Sequence, residues 1–340
     1  MKIKLYSCGS ERPESEIPLS IGYLMTNVKN ADISFEKNRD NLKDCDYIGI
    51  SATAHGIKEA IDILSTTNIP VIIGGQSTLW GDLEKYPFKH IVKGDGEKSL
   101  QDIIDGTENR ILECYTTDLN TLNFPKRGSL REAKVPLFTS RGCPYDCAFC
   151  SSTEYWKKVR YVSAEYFINE VEHLLIEYGS SAKWLYIMDD LFIGNVKRFY
   201  EIYELWMKRG YNKRLQLWSF IRANMFNDDI CIKMKEMGFK GVRFGAESGC
   251  DRILKLLNKK STVEINQNAI NIANKIGLPV YCSFMYDMPT ETPQEKQMTL
   301  DFIKRNSGKM RVSGFYRFCS FPGTVFYNNQ NPLIDNMSVR

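Results

Sequence analysis

The sequence predicts two α/β domains in series: a Rossmann-like, doubly wound parallel sheet over residues 1–110, then a partial (β/α)6 TIM barrel over residues 135–328. Three observations predict it. The length of 340 residues exceeds one ordinary core. Short apolar runs alternate with segments of helical spacing in both halves. An irregular stretch mixing Thr, Asn, Pro and charges, residues 111–134, separates the halves and reads as a connector.

In the first half, strands are predicted at Ile3–Ser7, Ile33–Phe35, Tyr47–Ser51, Val71–Gly74 and His90–Lys93. Gly56–Leu64 and Lys98–Ile104 have helical spacing. Ligands of such open parallel sheets bind at the carboxyl ends of the strands. Glycines stand where two strands end, Gly74-Gly75 and Gly94 with Gly96. Either they let a ligand approach the backbone or they only make tight turns.

In the second half the strand–helix rhythm recurs six times. Strands are predicted at Leu137–Ser140, Leu185–Met188, Leu215–Ile221, Gly241–Ala246, Val280–Tyr286 and Val312–Ser320. Helices follow most of them, among them Ala164–Tyr178, Val196–Lys208 and Pro293–Arg305. Six units are too few to close an eight-stranded barrel, so the barrel is expected to be open on one side, with its site at the carboxyl ends of its strands. Residues 329–340 read as a C-terminal tail.

Composition narrows the class. Hydrophobic residues at 43% and charged residues at 25% are the balance of a soluble globular chain. A net charge of +4 is small for this length, so bulk charge does not indicate nucleic-acid binding. No window reaches the ~18 apolar residues of a membrane span. The opening MKIKLYSCGS has no apolar core of signal-peptide length. A cytoplasmic location is the expectation, and there the ten cysteines are mostly reduced thiols. Close spacing of cysteines then points to metal rather than to disulfides.

That spacing occurs at Arg141-Gly142-Cys143-Pro144-Tyr145-Asp146-Cys147-Ala148-Phe149-Cys150, just after the first predicted strand of the second domain. Three thiolates within eight residues suit three corners of an iron–sulfur cube, leaving the fourth iron open for an outside chelator. Structural zinc wants four closed ligands, and none of His55, His90 and His173 has ligand spacing to the trio.

C-x-x-x-C-x-aromatic-C after a strand resembles the signature of the radical S-adenosylmethionine (SAM) superfamily, and five further motifs follow in order. They are Met188-Asp189-Asp190 with Phe192 and Asn195, Arg222 after the third strand, Gly245-Ala246-Glu247-Ser248-Gly249 with Lys259-Lys260 beyond, Asp287-Met288-Pro289-Thr290-Glu291-Thr292, and Phe321-Pro322-Gly323-Thr324. The resemblance implies that Cys143, Cys147 and Cys150 hold a 4Fe–4S cluster. Reduced by a donor such as flavodoxin or ferredoxin, the cluster cleaves SAM to methionine and a 5′-deoxyadenosyl radical. It places Asp190 near the methionyl amine, Arg222 near the methionyl carboxylate and Glu247 on the ribose hydroxyls. Phe149 comes under the adenine, and Pro322 and Gly323 complete the adenine pocket. Other readings remain: Asp capping a helix, Arg222 in a surface salt bridge, Glu247 paired with Arg243 or Arg222, and Phe149 as plain core.

The first domain resembles the cobalamin-binding domain that precedes many radical SAM enzymes. Pro18-Leu19-Ser20-Ile21-Gly22-Tyr23-Leu24, Tyr47-Ile48-Gly49-Ile50-Ser51, Gly74-Gly75 and Gly94-Asp95-Gly96-Glu97 carry that resemblance. It implies that Ser51, Gly74, Gly75, Gly94 and Gly96 line the floor under the corrin, and that the enzyme methylates, or otherwise modifies, an unactivated carbon. A fold kept without its ligand is the other reading. Two rival functions stand beside it: a cobalamin-independent radical SAM enzyme of the methylthiotransferase kind, and a non-catalytic iron–sulfur redox protein. The first would want three more cysteines in the first domain, where the sequence has Cys8 and Cys45, with Cys114 in the connector.

Overall fold

The computed structural model describes residues 1–9 and 15–327. The first domain is a sheet of β1 (Lys2–Cys8), β2 (Asp32–Phe35), β3 (Tyr47–Ala52), β4 (Val71–Gly74), β5 (His90–Gly94) and β6 (Ile111–Cys114). Their order is β2-β1-β3-β4-β5-β6, and every neighbouring pair is parallel. The chain leaves β1 to one side for β2 and returns to the other side for β3. Strand order therefore reverses between β1 and β3, and the crevice beyond those carboxyl ends is where such sheets bind ligands.

Alternating side chains bury both faces of this sheet. Ile48, Ile50 and Ile73 pack with Ile57, Ala60 and Ile63 of the helix Ile57–Thr66. Ile3, Leu5 and Val92 pack with Ile21, Leu100 and Ile103 of the helices Leu19–Asn27 and Gly96–Ile104. The predicted strands are all present, but Ile111–Cys114 is a sixth strand rather than connector. It lies at the sheet edge with only Leu112 buried, so it carries no apolar run for the sequence to display.

The second domain holds β7 (Lys134–Leu137), the short antiparallel pair β8 (Ser140–Arg141) and β9 (Arg160–Tyr161), then β10 (Trp184–Ile187), β11 (Gln216–Phe220), β12 (Phe239–Glu247), β13 (Val280–Tyr286) and β14 (Arg311–Arg317). Six of these form a parallel sheet in the order β14-β13-β12-β11-β10-β7. The first predicted strand, Leu137–Ser140, is displaced. The barrel strand is Lys134–Leu137, and Ser140 belongs to the small hairpin. Pro136 inside β7 is tolerated because β7 is an edge strand.

Three predicted helices are observed at their predicted bounds, because each has a side chain that stops the chain from starting elsewhere. Ser163 accepts from Tyr166 N–H and Asn195 from Arg198 N–H, while Thr292 and Glu295 form a capping box around Pro293. The helix layer and the outward residues of the strands, among them Leu185, Leu217, Val242 and Phe284, make one continuous core with Phe167, Phe199 and Trp206. No helix among the described residues is long and apolar enough to cross a membrane. The expected tail, residues 329–340, lies outside the described residues.

Candidate active site

The cysteine loop leaves β8 through Gly142, whose φ of +93° disfavours a side chain and where an added Cβ would lie a tight 3.0 Å from Lys158 O. Cys147 is buried, Cys143 half-buried and Cys150 exposed. Burial pushes the Cys143 thiol up, and neighbouring Asp190 and Cys147 add to it. Cys150 keeps solvent contact, yet surrounding protein raises it to about 11, with Asp190, Cys147 and Cys143 adding to the rise. The thiols feel one another, so a metal that displaces their protons also relieves the crowding of charge. Among the described residues no three His, Cys, Asp or Glu side chains are grouped to hold a single metal ion. A cube does not need that, because each thiolate binds its own iron.

Arg222 stands directly on the loop. Its Nη1 donates to Cys147 Sγ at 3.2 Å, its Nη2 donates to Lys259 O, and its guanidinium lies 3.7 Å over the Tyr145 ring. It is not a surface ion pair. Glu247 ends β12 at φ +63°, a backbone region that a residue with a side chain occupies only when its surroundings force it. Its Oε1 accepts from Lys259 Nζ at 2.7 Å, so its partner is Lys259 rather than Arg243 or Arg222. Lys259 Nζ also lies 5.5 Å over the Phe149 ring, which packs beside Cys250 and Met288. Val325 N–H donates to Ala148 O, bringing the Phe321–Gly323 segment alongside the cysteine loop.

The two adjacent aspartates divide. Asp189 is buried and accepts from Thr139 N–H, Thr139 Oγ1 and Ser140 N–H, which holds the chain entering the hairpin. Asp190 is exposed, and its carboxylate accepts from Ser152 Oγ at 2.6 Å. Desolvation raises the Asp190 carboxyl while Ser152 opposes it. Asp190 is therefore the member of the pair with an oxygen to spare for a cation.

Sequence reasoning singled out Gly94-Asp95-Gly96-Glu97 but missed what it meets. Arg141, the residue before Gly142-Cys143, gives Nη1 to Asp95 at 2.6 Å and Nη2 to Glu97 at 2.7 Å. Arg160 pairs with Asp95 as well and donates to Thr116 O. Tyr155 donates to Gly94 O. All four charged residues are buried. Burial alone would raise Asp95, but Arg141 and Arg160 outweigh it and hold the carboxyl below its usual range. Added Cβ atoms would meet Cys114 O at 2.3 Å from Gly94 and Leu24 Cδ2 at 2.9 Å from Gly96. Gly94, at φ +79° and against backbone, has a packing reason to be glycine, whereas at Gly96 only the end of the Leu24 side chain is in the way.

A cleft of about 270 Å³ opens where strand order reverses, lined by Gly9, Thr53, His55, Gln76 and Ser77 of the first domain and by Ser151, Phe321 and Pro322 of the second. Ser51, Gly74 and Gly75 lie just before lining residues at the ends of β3 and β4. Gly75 has φ +88° and its Cβ would meet Ala52 O at 2.6 Å, so packing explains it. Gly74 is different, because a Cβ there would lie an ordinary 3.6 Å from Val92 O. His55, which sequence reasoning set aside, faces Phe321 across the cleft with ring centroids 6.2 Å apart.

Residues 137–303 match the radical SAM superfamily. The second domain belongs to that superfamily. Over 95% of this chain and 81% of the other, the sequence is 28% identical to a protein named as an uncharacterized methyltransferase of Pyrococcus horikoshii. Over 83% of this chain and 68% of the other, it is 26% identical to a putative methylthiotransferase of Methanocaldococcus jannaschii. In fold it resembles the radical SAM methyltransferase TsrM of Kitasatospora setae, solved with cobalamin and a [4Fe-4S] cluster bound. The TM-score is 0.76 at 15% identity, covering 95% of this chain and 73% of that one. Both domains, in this order, thus share the fold of that protein.

As a radical SAM domain, the second half carries a donor set that fits its cofactors. Three soft thiols in one loop suit the cluster. An exposed Asp190, a buried Glu247 in strained backbone and an Arg222 with an orphaned buried Nε leave polar atoms for a zwitterionic nucleoside ligand. The first domain's fit to a corrin rests on Gly74, which no protein contact requires to be glycine, and on the hydroxyls of Thr53 and Ser77 in the cleft.

Proposed function

We propose that this chain is a cobalamin-dependent radical SAM enzyme that methylates, or otherwise modifies, an unactivated carbon. One observation carries the reading: a single cleft is lined by the strand ends of the first domain and by residues flanking the cysteine loop and β14. Cofactors seated on the two domains would face the same space. When bound, the cluster and SAM supply a hydrogen-abstracting carbon radical, and cobalamin supplies the methyl group.

The chain's own residues bind, orient and exclude water. Cys143, Cys147 and Cys150 hold the cluster. Arg222, already donating to Cys147 Sγ, neutralises charge beside it and offers its fork to a carboxylate. Asp190 accepts from the methionyl ammonium. Glu247, oriented by Lys259, accepts from the ribose hydroxyls. Phe149, Pro322 and Gly323 flank the adenine. Ser51, Gly74 and Gly75 lie beneath the corrin, while Gly94 and Gly96 support it from the domain junction rather than by contact. Electrons come from a flavodoxin- or ferredoxin-type donor.

The methylthiotransferase reading meets a geometric obstacle. Cys8 ends β1 and Cys114 ends β6, with β3, β4 and β5 between them. Four strand spacings of ~4.8 Å separate them by about 19 Å. They cannot share a second cluster.

The test is anaerobic reconstitution. One cluster per chain is expected, lost on Cys143→Ala, Cys147→Ala or Cys150→Ala and kept on Cys8→Ala. Reduction with SAM should give 5′-deoxyadenosine, which a non-catalytic redox protein would not make. Glu247→Ala should weaken SAM binding by about ten- to a hundredfold, the value of a hydrogen bond to a charged group. Hydroxocobalamin should stay with the protein through gel filtration. Its loss at micromolar protein, with iron intact, would remove cobalamin from the proposal.

A further inference from the structure

Each sulfur of the cysteine trio receives a hydrogen bond, and one of the three donors differs in kind. Backbone N–H groups of Tyr145 and Ser152 serve Cys143 and Cys150, the half-buried and the exposed thiol. Cys147, the buried one, is served by the guanidinium of Arg222, Nη1 to Sγ at 3.2 Å. The two backbone donors are neutral, whereas the third carries a full positive charge. It acts on the sulfur best shielded from solvent, where a charge is felt most strongly.

Protein contacts alone fix that guanidinium in place. It lies 3.7 Å over the ring of Tyr145, the residue midway between Cys143 and Cys147. Asn224, in the turn Ala223–Met225 that follows Arg222, donates Nδ2 to Tyr145 Oη at 3.0 Å. The turn after β11 therefore grips Tyr145 by both its ring face and its hydroxyl. On its other side Arg222 Nη2 donates to Lys259 O. The segment before Lys259 holds the cysteine loop directly. Asn258 Nδ2 donates to Asp146 O at 3.0 Å, and Leu257 O accepts from Ala148 N–H at 2.9 Å. Arg222 is buried, and moving it off Cys147 would break its contacts with Tyr145 and Lys259 together.

We propose that Arg222, clamped by Tyr145 and Lys259 O, sets the reduction potential of the cluster by holding a fixed positive charge at its Cys147 corner. Reduction adds one electron to the cluster from a flavodoxin- or ferredoxin-type donor, and no bond forms or breaks. The reduced cluster carries one more negative charge, so a fixed cation stabilises it over the oxidised form. Hydrogen bonds to the ligand sulfurs, net charge and burial set such potentials. Arg222 contributes to each, since it donates to a ligand sulfur, is charged and is buried. Tyr145 is then a positioning residue, whose ring keeps the charge on Cys147. This rests on the cluster reading above, but a potential tests it without turnover.

The experiment titrates the cluster-reconstituted full chain with dithionite and mediator dyes, following the electron paramagnetic resonance signal of the reduced cluster. SAM is left out, which separates an effect on the cluster from any loss of ligand binding. At the potential where the wild-type cluster is half reduced, Arg222→Gln should lower the reduced-to-oxidised ratio by about tenfold or more, the scale of a hydrogen bond to a charged group. For a one-electron couple that is a midpoint lower by about 59 mV or more. Arg222→Lys keeps the charge and should lose less than about threefold on the same scale. Tyr145→Leu frees the guanidinium and should lose about threefold or more, while Tyr145→Phe keeps the ring and should match wild type. An Arg222→Gln midpoint equal to wild type, or Arg222→Lys falling as far as Arg222→Gln, overturns the proposal. Where Arg222→Gln holds no cluster, Tyr145→Leu decides, and a midpoint there equal to wild type overturns it. A wild-type chain that takes up no cluster sinks the radical reading as well. An intact cluster whose midpoint ignores both variants sinks this inference alone.

Discussion

At the domain junction, Arg141 and Arg160 face Asp95 and Glu97, two cations against two anions, all buried. In the barrel, Arg243 faces four rings and, among the described residues, no carboxylate. The first setting buries its guanidinium groups against carboxylates, and the second leaves its guanidinium half-buried among rings. The junction closes on itself and organises the chain, bringing the strand end of β5 against the residue that precedes Gly142-Cys143. The difference separates an arginine that holds two domains together through carboxylates from one that packs on rings within a single domain.

The comparison breaks most readily at Arg141. Arg141→Ala leaves Asp95 short of one partner and Glu97 without its own, both still buried. Removing one side of a buried pair costs about 3–5 kcal/mol. Denaturant unfolding should read that loss, and iron content after reconstitution should fall with it, because Arg141 adjoins the cysteine loop. Arg243→Gln orphans no carboxylate, so its unfolding free energy should change far less. Equal losses in the two variants would erase the distinction.

Acid offers a second way to sharpen it. Asp95 is held below its usual range in the folded chain, so its ionised form stabilises the fold. That contribution is fully present above the unfolded carboxyl value, near 3.9, and is lost as pH falls through the folded value. The stability gap between the native chain and Asp95→Asn should therefore be level from pH 7 to about 5 and shrink below about 4. A gap that persists unchanged to pH 3 would mean the carboxylate is not what the arginines hold.

The glycines give smaller effects in a definite order. Gly94→Ala forces a side chain into left-handed backbone and against Cys114 O, and should cost about 1–3 kcal/mol. Gly74→Ala has room for its methyl, and should shift stability by less than about 0.5 kcal/mol. If the Gly74 strand end is a corrin floor, Gly74→Val should lower hydroxocobalamin retention in gel filtration while leaving iron content unchanged.

Much of the fold was legible because its signals are local. Val280–Tyr286 and the helices Ala164–Tyr178, Val196–Lys208 and Pro293–Arg305 appear where spacing and caps put them. Ile111–Cys114 was not legible, because an edge strand with one buried residue has no pattern of its own. The cysteine trio was legible because its three residues lie within one loop. The division of labour between Asp189 and Asp190 was not, since it depends on Thr139 and Ser140 of a different strand arriving over one carboxylate and not the other.

What the sequence by itself determined is therefore the set of short-range facts: two parallel α/β domains, the cysteine loop and the residues that end each strand. These follow from periodicity, capping and spacing, which act over a few residues. The tertiary structure alone decided which charges meet. Arg141 reaches Asp95 across 46 positions of chain and Arg160 reaches it across 65, while Glu247 passes by Arg243 and Arg222 to take Lys259. Ion pairing depends on distance and burial after folding, and no spacing along the chain encodes either. The same packing that paired the junction arginines with carboxylates left Arg243 among aromatic rings, with no carboxylate partner among the described residues.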